Sequence, residues 1–89
     1  MNAIPHTMTP KSLVLAEVGA FWQGLLAQID RGPVVLDLSQ LERLDGAGAQ
    51  LLAVAVYQGQ TRGISVVHPS PTTVDLARAL GLERLANLD

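Results

Sequence analysis

Apolar residues recur at Val18, Phe21, Trp22, Leu25, Leu26 and Ile29. This is the i, i+3, i+4, i+7 spacing of a single helix face, and it predicts a helix over about Val14 to Ile29. Gly19 and Gly24 lie inside it. Each weakens a helix by about 1 kcal/mol relative to Ala, so close packing against a neighbour is the expected reason for one or the other. Asp30-Arg31-Gly32-Pro33 ends the pattern with a Gly and then a Pro. The period then changes. Val34, Val35, Leu36 and Leu38 form a nearly continuous apolar run interrupted by Asp37. Such a run predicts a central strand buried on both faces.

Ser39 to Leu44 reads as a connection, and a second helix is predicted from about Ala47 to Thr61. It is apolar nearly all round from Leu51 to Tyr57, which predicts deep burial. Gly63 is placed to end it with a positive φ. Ile64 to His68 predicts another strand. Pro69-Ser70-Pro71 breaks that strand, and a third helix follows, capped either by Ser70 with Pro71 in its first turn or by Thr72 with Asp75 three residues on. Its apolar positions are Val74, Leu76, Ala77 and Leu80, and Gly81 ends it. Leu82, Leu85 and Leu88 are spaced for a last short turn or edge segment. Residues 1–12 carry Pro5 and Pro10 and form a lead-in or one edge strand, with residues 13–89 as a single domain. Alternating strands and helices predict an α/β fold: a small, open, mostly parallel sheet of three to four strands with three helices.

Composition narrows the function. At 89 residues the chain makes one small domain. With 48% hydrophobic residues and three aromatics (Phe21, Trp22 and Tyr57), its core must be aliphatic. The net charge of −2 is spread singly, which gives nucleic-acid binding no basic stripe. There is no Cys, which removes disulfides, thiolate metal sites and thiol catalysis. The first dozen residues lack the charged start and apolar run of a signal peptide. The longest apolar stretch, Ala47 to Tyr57, is too short to span a bilayer. A soluble cytoplasmic protein is expected, one that reaches a membrane only through a partner.

The segment Leu44-Asp45-Gly46-Ala47-Gly48, between strand and helix, invites several chemistries. A dinucleotide-binding loop needs Gly where Leu51 stands, and an NTP-binding loop needs a Lys, whereas Lys11 is the chain's only lysine. An aspartyl-phosphate site at Asp45 would need clustered acids and a Lys. Asp45 is instead placed to cap the second helix through the amide of Ala47 or Gly48. No Ser, Thr, Cys, Lys or His lies between Leu41 and Val56, so no catalytic residue, no cofactor and no enzymatic activity is expected. His6 and His68 are 62 residues apart with no acidic cluster, so no metal site is expected and His68 reads as structural. Ser70, Thr72 and Thr73 read as capping residues before modification sites. Of the adjacent Phe21 and Trp22, one is free to anchor a partner unless both lie at a core boundary.

Taken in order, these pieces resemble a STAS domain, the fold of bacterial anti-sigma-factor antagonists. The resemblance runs from about Leu13 to Leu85. Its carriers are Val34-Val35-Leu36-Asp37-Leu38-Ser39, Leu41-Glu42-Arg43-Leu44-Asp45, the small-residue turn, Gly63-Ile64-Ser65-Val66-Val67, Pro69-Ser70-Pro71 and Leu80-Gly81-Leu82. The family's turn reads Asp-Ser/Thr-small-Gly, and its hydroxyl takes phosphate from a partner kinase, which switches binding off. Here that phospho-acceptor position is Gly46, which cannot be phosphorylated. The resemblance implies a non-enzymatic interaction module without this switch. It would dock a regulatory partner through Leu44, Asp45, Gly46, Ala47, Gly48, Gln50 and Leu51. The family's range makes that partner an anti-sigma kinase-like regulator, a chemotaxis protein or the ATPase of a phospholipid ABC transporter. A nucleotide- or lipid-binding STAS domain is the alternative.

Overall fold

The structure is a computed structural model, and it describes residues 6–82. It contains strand β1 (His6–Met8), strand β2 (Ser12–Leu13), helix α1 (Leu15–Ile29), strand β3 (Val34–Asp37), strand β4 (Arg43–Leu44), helix α2 (Gly46–Arg62), strand β5 (Ile64–Val67) and helix α3 (Pro71–Ala79). The expected last segment around Leu85 and Leu88 lies outside the described residues.

β1, β3 and β5 form a parallel sheet in that order, with His6 opposite Val34 and Val34 opposite Ile64. The α/β class, the three helices and the N-terminal edge strand match the sequence reading. A second, two-residue parallel ladder joins β2 to β4, pairing Ser12 with Arg43 and Leu13 with Leu44. The stretch expected as a plain connection therefore contains a strand. Two residues are too few for any periodicity to register, and the pairing partner is 31 positions away.

The strand order corrects a second expectation. Moving steadily from β1 to β3 to β5 with right-handed crossovers places α1 and α2 on the same side of the sheet. Burial follows. Val34, Leu36, Ile64 and Val66 are buried beneath the helices, while Val35, Asp37 and Val67 on the other face are half-buried and Ser65 is exposed. β3 is thus fully buried on one face only. The core is aliphatic, as composition required: Leu13, Leu25, Val34, Leu36, Leu38, Leu41, Leu52, Ala55, Ile64, Val66 and Ala77.

α2 is also less buried than its apolar run predicts. Ala49, Leu52 and Ala55 face the core, but Val54 is 39% exposed and Tyr57 76%. A helix lying on one sheet face buries one side, whatever the other side is made of. The third helix starts as one of the two predicted caps requires. Ser70 Oγ accepts from the Thr73 amide at 3.2 Å and donates to the Leu41 carbonyl at 2.9 Å, tying α3 to the β3–β4 connection. Gly63 ends α2 at φ 76°, as expected.

The helical glycines divide differently from the expectation. A Cβ at Gly19 or Gly24 would meet nothing within 4 Å. A Cβ at Gly48 would overlap the carbonyl oxygen of Leu13, because β2 passes directly against the first turn of α2. Gly48→Ala is therefore expected to lower unfolding free energy by roughly 1–3 kcal/mol through overpacking, whereas Gly24→Ala raises it by about 0.5–1 kcal/mol. Urea denaturation of the two variants checks the opposite signs.

Candidate docking site

The β2–β4 ladder sets Leu13 beside Leu44, so the helices that follow these strands start side by side. One residue joins them. Asp45 is the N-cap of α2, extended at φ −119° and ψ −173°. Its Oδ1 accepts from the Gly48 amide at 3.0 Å, the cap expected from sequence. Its Oδ2 accepts from the Leu15 amide, the first of α1, at 2.8 Å. Val14, the formal N-cap of α1, has no side-chain cap of its own, so Asp45 supplies one from 30 residues away. Both helices direct the positive ends of their dipoles at this carboxylate. The Gly48 amide first, and then the Leu15 amide, hold the Asp45 carboxyl below the usual carboxylate range.

The seven residues expected to dock a partner separate into two groups. Leu44, Asp45 and Gly48 are structural: Leu44 packs against the core, Asp45 is the shared cap, and Gly48 lies buried against Leu13. Gly46, Ala47, Gln50 and Leu51 are accessible. Gly46 is exposed, and a Cβ there would meet nothing within 4 Å, so the site has room for a hydroxyl-bearing side chain that this sequence does not supply.

Ala47, Gln50 and Leu51 continue with Val54 into one wall of an open groove of about 370 Å³, whose opposite wall is Val18, Gly19 and Trp22 of α1. Among the described residues that line it, Gln50 alone is polar or charged in type. Leu15, 71% exposed, stands one turn before Val18 on the same stripe of α1. The contribution of α1 to this face was missed from sequence except at Trp22. The signal was present: α1 and α2 together hold only two charged residues, Glu17 and Arg62, a composition unlike that of ordinary solvent-facing helices. Phe21 and Trp22 are both half-buried against the core, and Trp22 also lines the groove, so the aromatic pair meets both descriptions offered for it.

The remaining candidates stay apart. His6 opens β1 and His68 follows the end of β5, which puts them at opposite ends of a parallel sheet. Ser70 and Thr73 are buried and hydrogen-bonded to one another, and Thr72 is exposed.

If Asp45 clasps both helices, stability should follow its acceptor count. Asp45→Asn keeps one oxygen and Asp45→Ala none, so melting temperature is expected to fall in the order Asp, Asn, Ala. The lowered folded pKa also fixes a pH window. The clasp contributes fully above the unfolded value of about 3.9 and is lost as pH falls through the lower folded value. Thermal melts between neutral and strongly acidic pH should show a steeper acid loss in the parent than in Asp45→Ala.

Compared with known protein families, residues 12–88 match the family described as Mlab, STAS domain. No curated protein and no solved structure matches. The matched span covers both crossover helices, the β2–β4 ladder and the Asp45 turn. The chain belongs to the STAS domain family.

Proposed function

We propose that this chain is a non-enzymatic protein-interaction module that docks a regulatory partner through the Asp45–Gly48 turn and the outward side of α2. A general protein-interaction role is what the STAS fold supports. The observation that carries the finer reading is the apolar α1–α2 groove opening beside Gly46. A contiguous exposed apolar surface on a small domain marks a contact site. Trp22 supplies an aromatic anchor of the kind that concentrates binding energy.

Gly46 lies at the edge of this surface, with space around it and no hydroxyl. The face therefore has nothing at that position for a kinase to modify, and binding is constitutive. An anti-sigma kinase-like regulator, a chemotaxis protein and an ABC transporter ATPase are the partner classes in view. A cytoplasmic location goes with each. Among the described residues no helix is long and apolar enough to cross a membrane, which agrees with contact through a partner.

The groove's lining argues against the nucleotide alternative. A nucleotide needs several convergent polar groups, and Gln50 stands alone. The groove is also open to solvent, which suits a flat contact better than the enclosure of a small ligand.

Two measurements test the proposal. Intact-mass analysis after incubation with candidate kinases and ATP should show no phosphate on the Asp45–Gly48 turn, and added mass there defeats the constitutive reading. Affinity capture from the protein's own cells should recover a partner with the parent chain and lose it with Gly46→Asp. An acidic residue at the first helical position suits the α2 dipole, so the fold survives while charge enters the interface. Unchanged capture would mean that the partner docks elsewhere.

A further inference from the structure

The two walls of the α1–α2 groove share one spacing. On α2 the lining residues Ala47, Gln50, Leu51 and Val54 stand at i, i+3, i+4 and i+7. On α1 the lining residues Val18, Gly19 and Trp22 hold the last three of those places, and the exposed Leu15 holds the first. We infer that the groove receives an amphipathic α-helix of the partner, which rests on the docking reading above and names the element that docks.

The shared spacing favours a helix. α1 and α2 start side by side at Asp45, and each row then climbs two turns, about 10.5 Å. A furrow between two adjacent helices accepts a third whose own apolar residues recur at i, i+3 or i+4, and i+7.

Backbone chemistry favours it too. Both walls are helices, whose main chain is bonded internally. Gln50 alone among the described lining residues has a polar side chain. An extended segment pressed between these walls would leave backbone N–H and C=O groups facing carbon. A helix arrives with its backbone already bonded. Charge then sets the character of its inner row. No charged residue stands on α1 from Val18 to Ile29 or on α2 from Gly46 to Thr61. A charged side chain brought into the groove would lose water and find no opposite charge, so the row that enters is apolar.

Gly19 fits the same occupant. It is exposed and lines the groove, and a Cβ there would meet nothing within 4 Å. Nothing in the described fold requires glycine at this position, although it weakens α1. Its missing side chain leaves room for a second backbone to lie close.

The test uses two displayed peptide libraries of equal composition, about 14 residues long, panned against the purified full chain. One library sets its apolar residues at i, i+3, i+4 and i+7, and the other sets them at every second position. Binders are expected from the helix-patterned library alone. Trp22 lines the groove and is the chain's one Trp, so its emission reports occupancy by peptides that lack Trp. The binders should shift that emission to shorter wavelength and gain helical circular dichroism. Gly19→Leu and Val54→Glu should each weaken the tightest binder by roughly tenfold or more. Gly19→Leu should do so with melting temperature held or raised, because Leu is the better helix former. That separates a filled groove from a lost fold. No binder from either library overturns the inference. So do binders that come equally or only from the strand-patterned library, or binding that survives both variants. Capture of the natural partner with Gly46→Asp is read separately, so a failure of the docking reading and a failure of this one leave different results.

Discussion

The carboxylate of Asp45 accepts from Gly48 with one oxygen and from Leu15 with the other, and the side-by-side start of α1 and α2 rests on those two bonds. A helix start leaves backbone amides without intrahelical partners, and an ionised acceptor meets that need better than a neutral one. Here a single carboxylate meets it for two helices. The β2–β4 ladder makes this possible by setting Leu13 beside Leu44, and Gly48 keeps it close by carrying no Cβ against the Leu13 carbonyl. Ladder, glycine and carboxylate fix the relative start of α1 and α2. The groove between them is the consequence, since its two walls are the next two turns of each helix.

Much of this frame was legible in sequence because its signals are local. The 3.6-residue stripe of α1, the Gly63 stop, the Ser70 cap and the Asp45–Gly48 bond each depend on residues within a few positions of one another. What escaped depends on distance along the chain. The second oxygen of Asp45 reaches 30 residues back to Leu15, and the β2–β4 ladder is two residues long. The glycines show the same division. Gly19, Gly24 and Gly48 look alike in sequence as glycines within helical patterns, and only the path of β2 makes the third of them obligatory. The one-sided sheet is likewise a property of strand order, and hydropathy cannot tell a strand buried on both faces from one whose second face carries Val35 and Val67 half-exposed.

The same one-sidedness explains why the candidate site is apolar. Among the described residues no second layer covers α2, and Val54 and Tyr57 stand on its outer side. In an ordinary surface helix those positions would be charged. Between Asp45 and Arg62 this helix has no charged residue, and between Leu15 and Ile29 the other has only Glu17, whose carboxylate accepts from the Ser12 hydroxyl at 2.6 Å. The other charges of the described residues are carried outside these helices, apart from Arg62 at the end of α2. Helix surfaces that carry no charged residue from Val18 to Ile29 and from Gly46 to Thr61 are suited to contact with another apolar surface.

Residue 46 then separates what the fold requires from what the site does. The frame depends on Asp45 before it and Gly48 after it. Position 46 is exposed, starts the helix, and has open space where a side chain would go. Helix physics alone would favour an acidic or phosphorylated group there, because the dipole of α2 and its first amides attract negative charge. Sterics would accept a serine. Glycine satisfies neither preference, and it confers no close approach, since nothing is near it. Its effect at the surface is to leave the start of α2, next to the groove-lining Ala47, neutral and uncrowded. That effect bears on what can approach the surface there, and the identity of residue 46 is therefore not set by the fold.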